Sequence, residues 1–459
     1  RATRVSPMAA LRDGGIPPNR AVGPVRIALG VVFIVLGGVA LARGLNGSGI
    51  QLVGLGALAI LIGVAVLAVF LARPMAGAIG WVPARLFKLP GRLARQNAMR
   101  NPARTASTAA ALMIGLALVT FVAVLSASIK VSIAETVDRT FAADYLVTGR
   151  SFDGFSGELA TELRRVPALQ DVVSIAGGQW RLDGKSTDLA ATQIPVFARL
   201  FSLEVVSGRL PAADDGGGLM VEEDTAKSHH WRPGDTVAME FAKTGVQKVR
   251  IDGLYKKSDF AGKYLLDSGT YERNYLSRQV FLVVMKAAPG VSASQSRAAI
   301  ASVLTAFPNV ELKDQAQFKA SQISRVDQLQ ALITVLLALA IVIAGLGILN
   351  TLALSVLERT RELGLLRAVG LSRRQTKRMI RWEAVIVAVI GAVLGLAVGL
   401  FFGWAVVRAI ADTGISTVSV PFGQLVIYMV VSGLLGVLAA VFPARRAARL
   451  NVLAAIAYE

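Results

Sequence analysis

Two short stretches hold residue types that could do chemistry. Gly184-Lys185-Ser186 has the closing residues of a phosphate-binding loop, in which backbone amides and a lysine cradle phosphates. That loop needs a glycine five residues before Gly184, and Gln179 stands there. The triplet follows Asp183 between Gln179–Leu182 and Lys185–Ala190, which is the pattern of a hairpin on an Asp-Gly turn. His229-His230 are the only histidines, and no acidic residue follows at metalloprotease spacing, so a surface turn explains them better than a metal. The chain has no Cys, which excludes disulfides and thiolate metal sites. We therefore expect no catalytic residue, no metal site and no cofactor held by this chain.

A third stretch, Glu358–Gly370, is suited to binding. Leu363, Leu366 and Val369 fall three residues apart on one helical face, with charges on the others. Gly370 suits a helix C-cap, and Ser372-Arg-Arg-Gln375 then reads as a capping box that starts a new helix. Glu358 and Glu362 make lipid a poorer partner for this helix than a protein groove.

The elements that position this helix are membrane spans. Of 459 residues 54% are hydrophobic and only 17% charged, and the apolar residues come in long blocks. Six blocks are long enough to cross a bilayer: Val25–Ala42, Ile50–Ala72, Ala106–Ile129, Gln330–Leu357, Ala384–Ile410 and Phe422–Phe442. The net charge of +19 does not point to nucleic acid. Lys130–Arg325 holds 24 Lys and Arg against 23 Asp and Glu, so almost all of the excess flanks the spans. Arginines crowd the N-terminal tail, the loop after the second span, the loop after the fourth and the C-terminal tail, whereas the alternate loops hold only Arg43 and Asp412. The positive-inside rule then puts both termini in the cytosol and Lys130–Arg325 outside. The chain begins at Arg1 without a signal peptide, and Arg1–Leu11 echoes Arg446–Ile456, so Arg1 is expected just past the last span of a preceding copy.

The outer segment reads as mixed α/β. Gly157–Val166 has helical spacing, Asp171–Ala176 looks like a strand, and Ile194–Phe197 reads as an edge strand because of Pro195. Arg232–Val237 is a turn leading into a strand. At both borders the helical pattern overshoots the membrane, from Ser126 into Glu135–Arg139 and from Phe318 through Leu357. The second of these is roughly 60 Å long, about twice the hydrocarbon thickness. Such a pair would form a stalk. Gly391, Gly395, Gly399 and Gly403 stand at every fourth position of the fifth span, a spacing that lets helix backbones approach closely. Asn350, near the inner end of the fourth span, is placed to hydrogen-bond across helices.

Asn350 followed by Glu358-Arg359-x-Arg361-Glu362-Leu-Gly364-x-x-Arg367-Ala-x-Gly370 resembles the signature of the FtsX-like permeases, the family that includes the MacB and lipoprotein-releasing transporters. Pro443–Arg449 resembles that family's closing segment, and Asn101-Pro-x-Arg104-Thr-x-Ser-Thr108 its entry into a span. Gly208-Arg209 and Pro233-Gly234-Asp235 resemble its periplasmic core domain. The resemblance implies a mainly α membrane protein of six transmembrane helices, with one extracytoplasmic mixed α/β domain between the third and fourth. The expected domains are 1–24, a tail of a preceding copy; 25–103, two linker spans; 104–140, a span and stalk helix; 141–325, the outer domain; and 326–459, the permease domain. It also implies an ABC transporter permease in a multi-pass cell-membrane setting. Its coupling helix would meet a cytosolic ABC ATPase dimer carrying ATP-Mg. Glu358, Arg359, Arg361, Glu362, Gly364, Arg367 and Gly370 would be contacts, with Leu363 and Leu366 as apolar anchors. Further expected partners are an upstream permease half or second copy, membrane lipids and an extracytoplasmic protein, with no nucleic acid. The expected cargo is an amphiphile such as a lipid, lipopeptide or peptide; the alternative is a mechanotransmission module that regulates an outer partner without transport.

Overall fold

The apolar blocks form helices that extend past the blocks themselves. A computed structural model of the chain describes residues 24–450, apart from 151–153, 183, 212–216, 259, 277–278, 412–413 and 416. The repeat at Arg1–Leu11, the turn residue Asp183 and the loop residue Asp412 lie outside the described residues. The described residues start with α1 (Pro24–Arg43), α2 (Ile50–Ile79), α3 (Trp81–Leu86), α4 (Lys88–Arg100) and α5 (Pro102–Thr140). Then come β1 (Tyr145–Gly149), β2 (Phe155–Ser156), α6 (Glu158–Arg164), β3 (Leu169–Leu182), β4 (Lys185–Thr192), α7 (Ile194–Leu200), β5 (Val205–Gly208) and β6 (Leu219–Glu222). They are followed by α8 (Glu223–His229), β7 (Thr236–Phe241), β8 (Gly245–Tyr255), β9 (Tyr264–Asp267), α9 (Ser268–Asn274), β10 (Gln279–Val280), β11 (Leu282–Ala287), α10 (Ala293–Leu304) and β12 (Val310–Asp314). The last described elements are α11 (Gln315–Glu358), α12 (Thr360–Ala368), α13 (Arg373–Ala409), α14 (Phe422–Ala439) and α15 (Val441–Ala448). Six of these helices are long and apolar enough to cross a membrane. The backbone divides into two compact units, one of residues up to Ile129 and from Asp327, the other Lys130–Val326.

In the first unit α5 and α13 are the most buried spans, and α1 and α11 keep most of their apolar surface exposed. The four-residue glycine stripe sets the α5–α13 approach. A methyl group at Gly391, Gly395 or Gly399 would stand 2.6, 2.8 or 2.4 Å from the carbonyl oxygens of Ala109, Met113 and Ala117. At Gly403 it would meet Val124 Cγ1 at 2.6 Å. Backbone on backbone is the packing lipid favours, because no hydrophobic gain separates one apolar surface from another there. Paired glycines bring α1 and α2 together in the same way: a methyl at Gly37 would lie 2.8 Å from the Gly56 carbonyl oxygen.

The second unit is built on a large sheet in the order β12-β1-β11-β3-β4-β9-β6-β8-β5, with β7 against β3 and β8. Alternate residues of one strand enter different cores. Tyr145 and Val147 face one, Leu146 the other; Val283 and Met285 face one, Val284 the other. Both faces are covered, which is why Leu282-Val-Val-Met reads as an unbroken apolar run. Asp171–Ala176 and Gln179–Leu182, which read as separate strands, are one strand, β3, running through Gly177-Gly178. Aromatic side chains cover those glycines: a methyl at Gly178 would meet Tyr275 Cζ at 2.7 Å, and the Tyr271 hydroxyl donates to the Gly177 carbonyl at 2.9 Å. The edge strand expected at Ile194–Phe197 is corrected to the helix α7, because Pro195 sits in the first turn, where a missing N–H costs a helix nothing. Ile194, Phe197 and Leu200 are all buried, at the 3–4 residue spacing of a helix face.

Within this unit the end of α5 and the start of α11 are tied together. Lys319 Nζ donates to Asp138 at 2.7 Å, Gln315 Nε2 to the Val137 carbonyl at 3.3 Å, and the rings of Phe141 and Phe318 stack at 6.0 Å.

Candidate functional site

The helix α12 is set between two breaks that its sequence dictates. Arg359 leaves helical geometry (φ −107°, ψ 22°), ending α11. After α12, Leu371 N donates to the Leu366 carbonyl at 3.0 Å and Gly370 N to the Arg367 carbonyl at 3.1 Å. This pair of bonds is a Schellman closure, and it requires the left-handed backbone that Gly370 adopts at φ 110°. Ser372 then caps α13 with a reciprocal box: Gln375 N donates to Ser372 Oγ at 3.3 Å, and Ser372 N to Gln375 Oε1 at 2.9 Å. A short helix is thus fixed between two long spans.

One side of α12 is held by charge. Arg359 donates to both carboxylate oxygens of Glu362 at 2.8 Å and through Nη2 to Asn97 Oδ1 at 2.8 Å. Asn97 Nδ2 in turn donates to Glu383 Oε2 at 3.2 Å, and Arg100 lies 3.6 Å from Glu362. Arg104 pairs with Glu358, and Arg367 donates to the Leu450 carbonyl. The Arg359 hydrogen bonds hold the Glu362 carboxyl below its usual range, and the same bonds raise the Arg359 guanidinium. This planar fork is the geometry at which arginine outperforms lysine.

The burial of α12 corrects part of the expected contact set. Leu363 is 2% exposed, packed with Val356, Met379 and Ile380, so it anchors the helix to its own domain and is closed to a partner. Gly364 is buried too, and Leu366 half-buried. Leu365 is 58% and Val369 84% exposed, and with Arg361 they form the outward surface. The three-residue spacing of Leu363, Leu366 and Val369 does not make one face, because the helix ends at Ala368 and Val369 turns outward. Asn350 is exposed on α11 and makes no hydrogen bond to another helix among the described residues, which corrects the bridge expected of it.

Sequence reading missed Asn97, Arg100 and Glu383. Glu383 carried a usable signal, since it is the sole carboxylate between Glu362 and Asp412, directly before an apolar block. Among the described residues no group of His, Asp and Glu is placed to hold a metal. His229 stacks on Trp231 at 4.4 Å, His230 takes the left-handed cap of α8, and Lys185-Ser186 begin β4 of a hairpin.

Comparison with known proteins identifies both parts of the chain. Residues 105–303 match the MacB-like periplasmic core domain and 334–452 the FtsX-like permease C-terminal domain. The chain thus carries the periplasmic core domain and the C-terminal domain of an FtsX-like, MacB-like ABC transporter permease. An ABC transporter permease protein of Mycobacterium tuberculosis is 22% identical over 344 residues, 71% of this chain and 40% of that protein. The macrolide export ATP-binding/permease protein MacB of Bdellovibrio bacteriovorus is 32% identical over 131 residues, 28% of this chain and 20% of that protein. The permease thus spans less than half the length of either relative. The crystal structure of the periplasmic region of MacB from Actinobacillus actinomycetemcomitans covers 41% of this chain and 96% of its own at 15% identity, with a TM-score of 0.33. The permease is a multi-pass membrane protein in which a mixed α/β domain stands between the third and fourth of six apolar helices.

Proposed function

We propose that α12 is the coupling helix of this permease: a cytosolic ABC ATPase dimer, carrying ATP-Mg, seats on its outward surface and moves it. The observation that carries the reading is the two-sided construction of α12. Its inner side is fixed by Leu363 and the Arg359–Glu362–Asn97 network, while Arg361, Leu365 and Val369 stand open. A helix built this way passes force inward and docks outward. The basic loops around it favour the cytosolic side, where ATP is.

In this account α5 and α11, whose residue ranges contribute to both units, relay the motion to the outer domain. The permease then extracts or exports an amphiphile, paired with a second permease half or copy. The MacB relative is named for macrolide export, which supports export as the direction. The spans offer few polar residues for a hydrated solute path, which also favours an amphiphile.

Co-purification in mild detergent tests the docking. An ABC ATPase should accompany the wild type and be lost from Leu365→Asp/Val369→Asp, with the variant still eluting as a folded membrane protein. Retention of the ATPase by the variant would refute the assignment. The cargo class is tested on the complex in nanodiscs: amphiphiles should raise its ATP hydrolysis. Stimulation by an outer protein alone would move the reading to force transmission without transport.

A further inference from the structure

A second site lies where the second span ends, and it is built from cations. The chain doubles back tightly there. A methyl at Gly80 would stand 2.7 Å from Arg95 Cγ, and one at Gly91 would lie 1.9 Å from the Pro83 carbonyl oxygen. This close approach of α3 and α4 gathers Arg85, Arg92 and Arg95 around one groove of about 630 Å³, with Trp81, Gln96 and Met99 completing its wall. The Arg85 guanidinium lies over the Trp81 ring, 5.2 Å from its centroid. Arg95 is half-buried, and its Nε is buried with no hydrogen-bond partner.

The missing counter-charge points to a ligand. From Gly14 to Ala134 the sequence has no Asp or Glu. Glu358 and Glu362 are engaged by Arg104, Arg100 and Arg359, and among the described residues no carboxylate pairs with Arg85, Arg92 or Arg95. A buried guanidinium donor without a partner is costly to leave unmade. Trp81 in the groove wall, Leu86 on α3 and Leu89 on α4 are 53%, 67% and 51% exposed. An exposed tryptophan at the end of a span is what the headgroup level of a bilayer holds.

We propose that this groove binds the phosphodiester headgroup of an anionic phospholipid, with Arg92 and Arg95 on the phosphate and the acyl chains along Leu86 and Leu89. Three cations match a phosphate better than a zwitterion, because no carboxylate is present to receive a choline or ethanolamine nitrogen. The exposed leucines select a lipid over free phosphate. None of the groove's residues is among those that hold α12.

Native mass spectrometry of the full chain from mild detergent, with added dioleoyl phosphatidylglycerol or phosphatidylcholine, tests it. The wild type should retain phosphatidylglycerol preferentially. Arg92→Gln/Arg95→Gln should weaken that retention on the order of ten-fold, while Arg445→Gln/Arg446→Gln should leave it unchanged, and millimolar inorganic phosphate should not displace the lipid. Equal retention of both lipids, equal loss in the two double variants, or displacement by phosphate would each overturn the proposal. If the groove variant does not fold, Ala84→Glu, which sets a carboxylate in the groove, and the wild-type selectivity decide the matter.

Discussion

Arg359 does more than present a charge. Its guanidinium closes a fork on Glu362 and reaches Asn97, which is bound to Glu383, so four side chains from three helices and the break before α12 fix that helix. The Arg359–Glu362 fork is half-buried and bidentate, so it contributes more than an exposed ion pair, about 1–3 kcal/mol. Glu362→Gln should therefore lower the thermal midpoint by a few degrees and, by loosening α12, lower ATP hydrolysis by the complex several-fold. A drop in stability with coupling intact would contradict that role. The pH dependence has a definite sign. The folded carboxyl of Glu362 is depressed, so its contribution is fully present above the ordinary carboxylate pKa and fades as pH falls through the lower folded value. Coupling should not vary through this group between about pH 6 and 8. The motif itself was legible in the sequence, because caps and charge spacing are local. Asn97 was not, since it meets Arg359 across 262 residues, and the orientation of Leu363 depends on what packs against it.

At the scale of elements, the glycine stripe of α13 makes a sharp prediction. The atoms facing Gly391, Gly395 and Gly399 are backbone oxygens, which cannot rotate away. Gly399→Leu should cost about 1–3 kcal/mol through overpacking and lower the thermal midpoint of the full chain. Gly433→Ala, where a methyl finds open space, should have little effect. The four-residue spacing made this stripe readable, but its partner α5 lies far away in sequence. In the outer unit, Phe141 packs against the rings of Phe201, Phe260 and Phe318. Phe141→Ala should destabilise that unit by about 3–5 kcal/mol, seen as an earlier first transition in thermal unfolding. Ile194–Phe197 shows where local reading fails. Ile194, Val196 and Phe197 are β-branched or aromatic and suit a strand, and only the burial spacing that continues to Leu200 reveals the helix.

For the whole molecule, composition and charge sorting were enough to read the architecture. Long apolar blocks specify spans because lipid leaves a backbone no other way to satisfy its hydrogen bonds, and a near-neutral segment between basic flanks marks the outer domain. The sheet order was beyond reach, since β3 changes partners from β11 to β4 along its length. If α12 docks an ATPase, Val369, the most exposed apolar residue at its end, lies at the contact. The absence of native cysteine makes a direct test simple. Val369→Cys, carrying a thiol-linked photo-crosslinker and irradiated in native membranes, should yield an adduct with an ABC ATPase, whereas Lys243→Cys in the outer unit should not. No ATPase adduct at Val369, or equal adducts from both positions, would contradict the account.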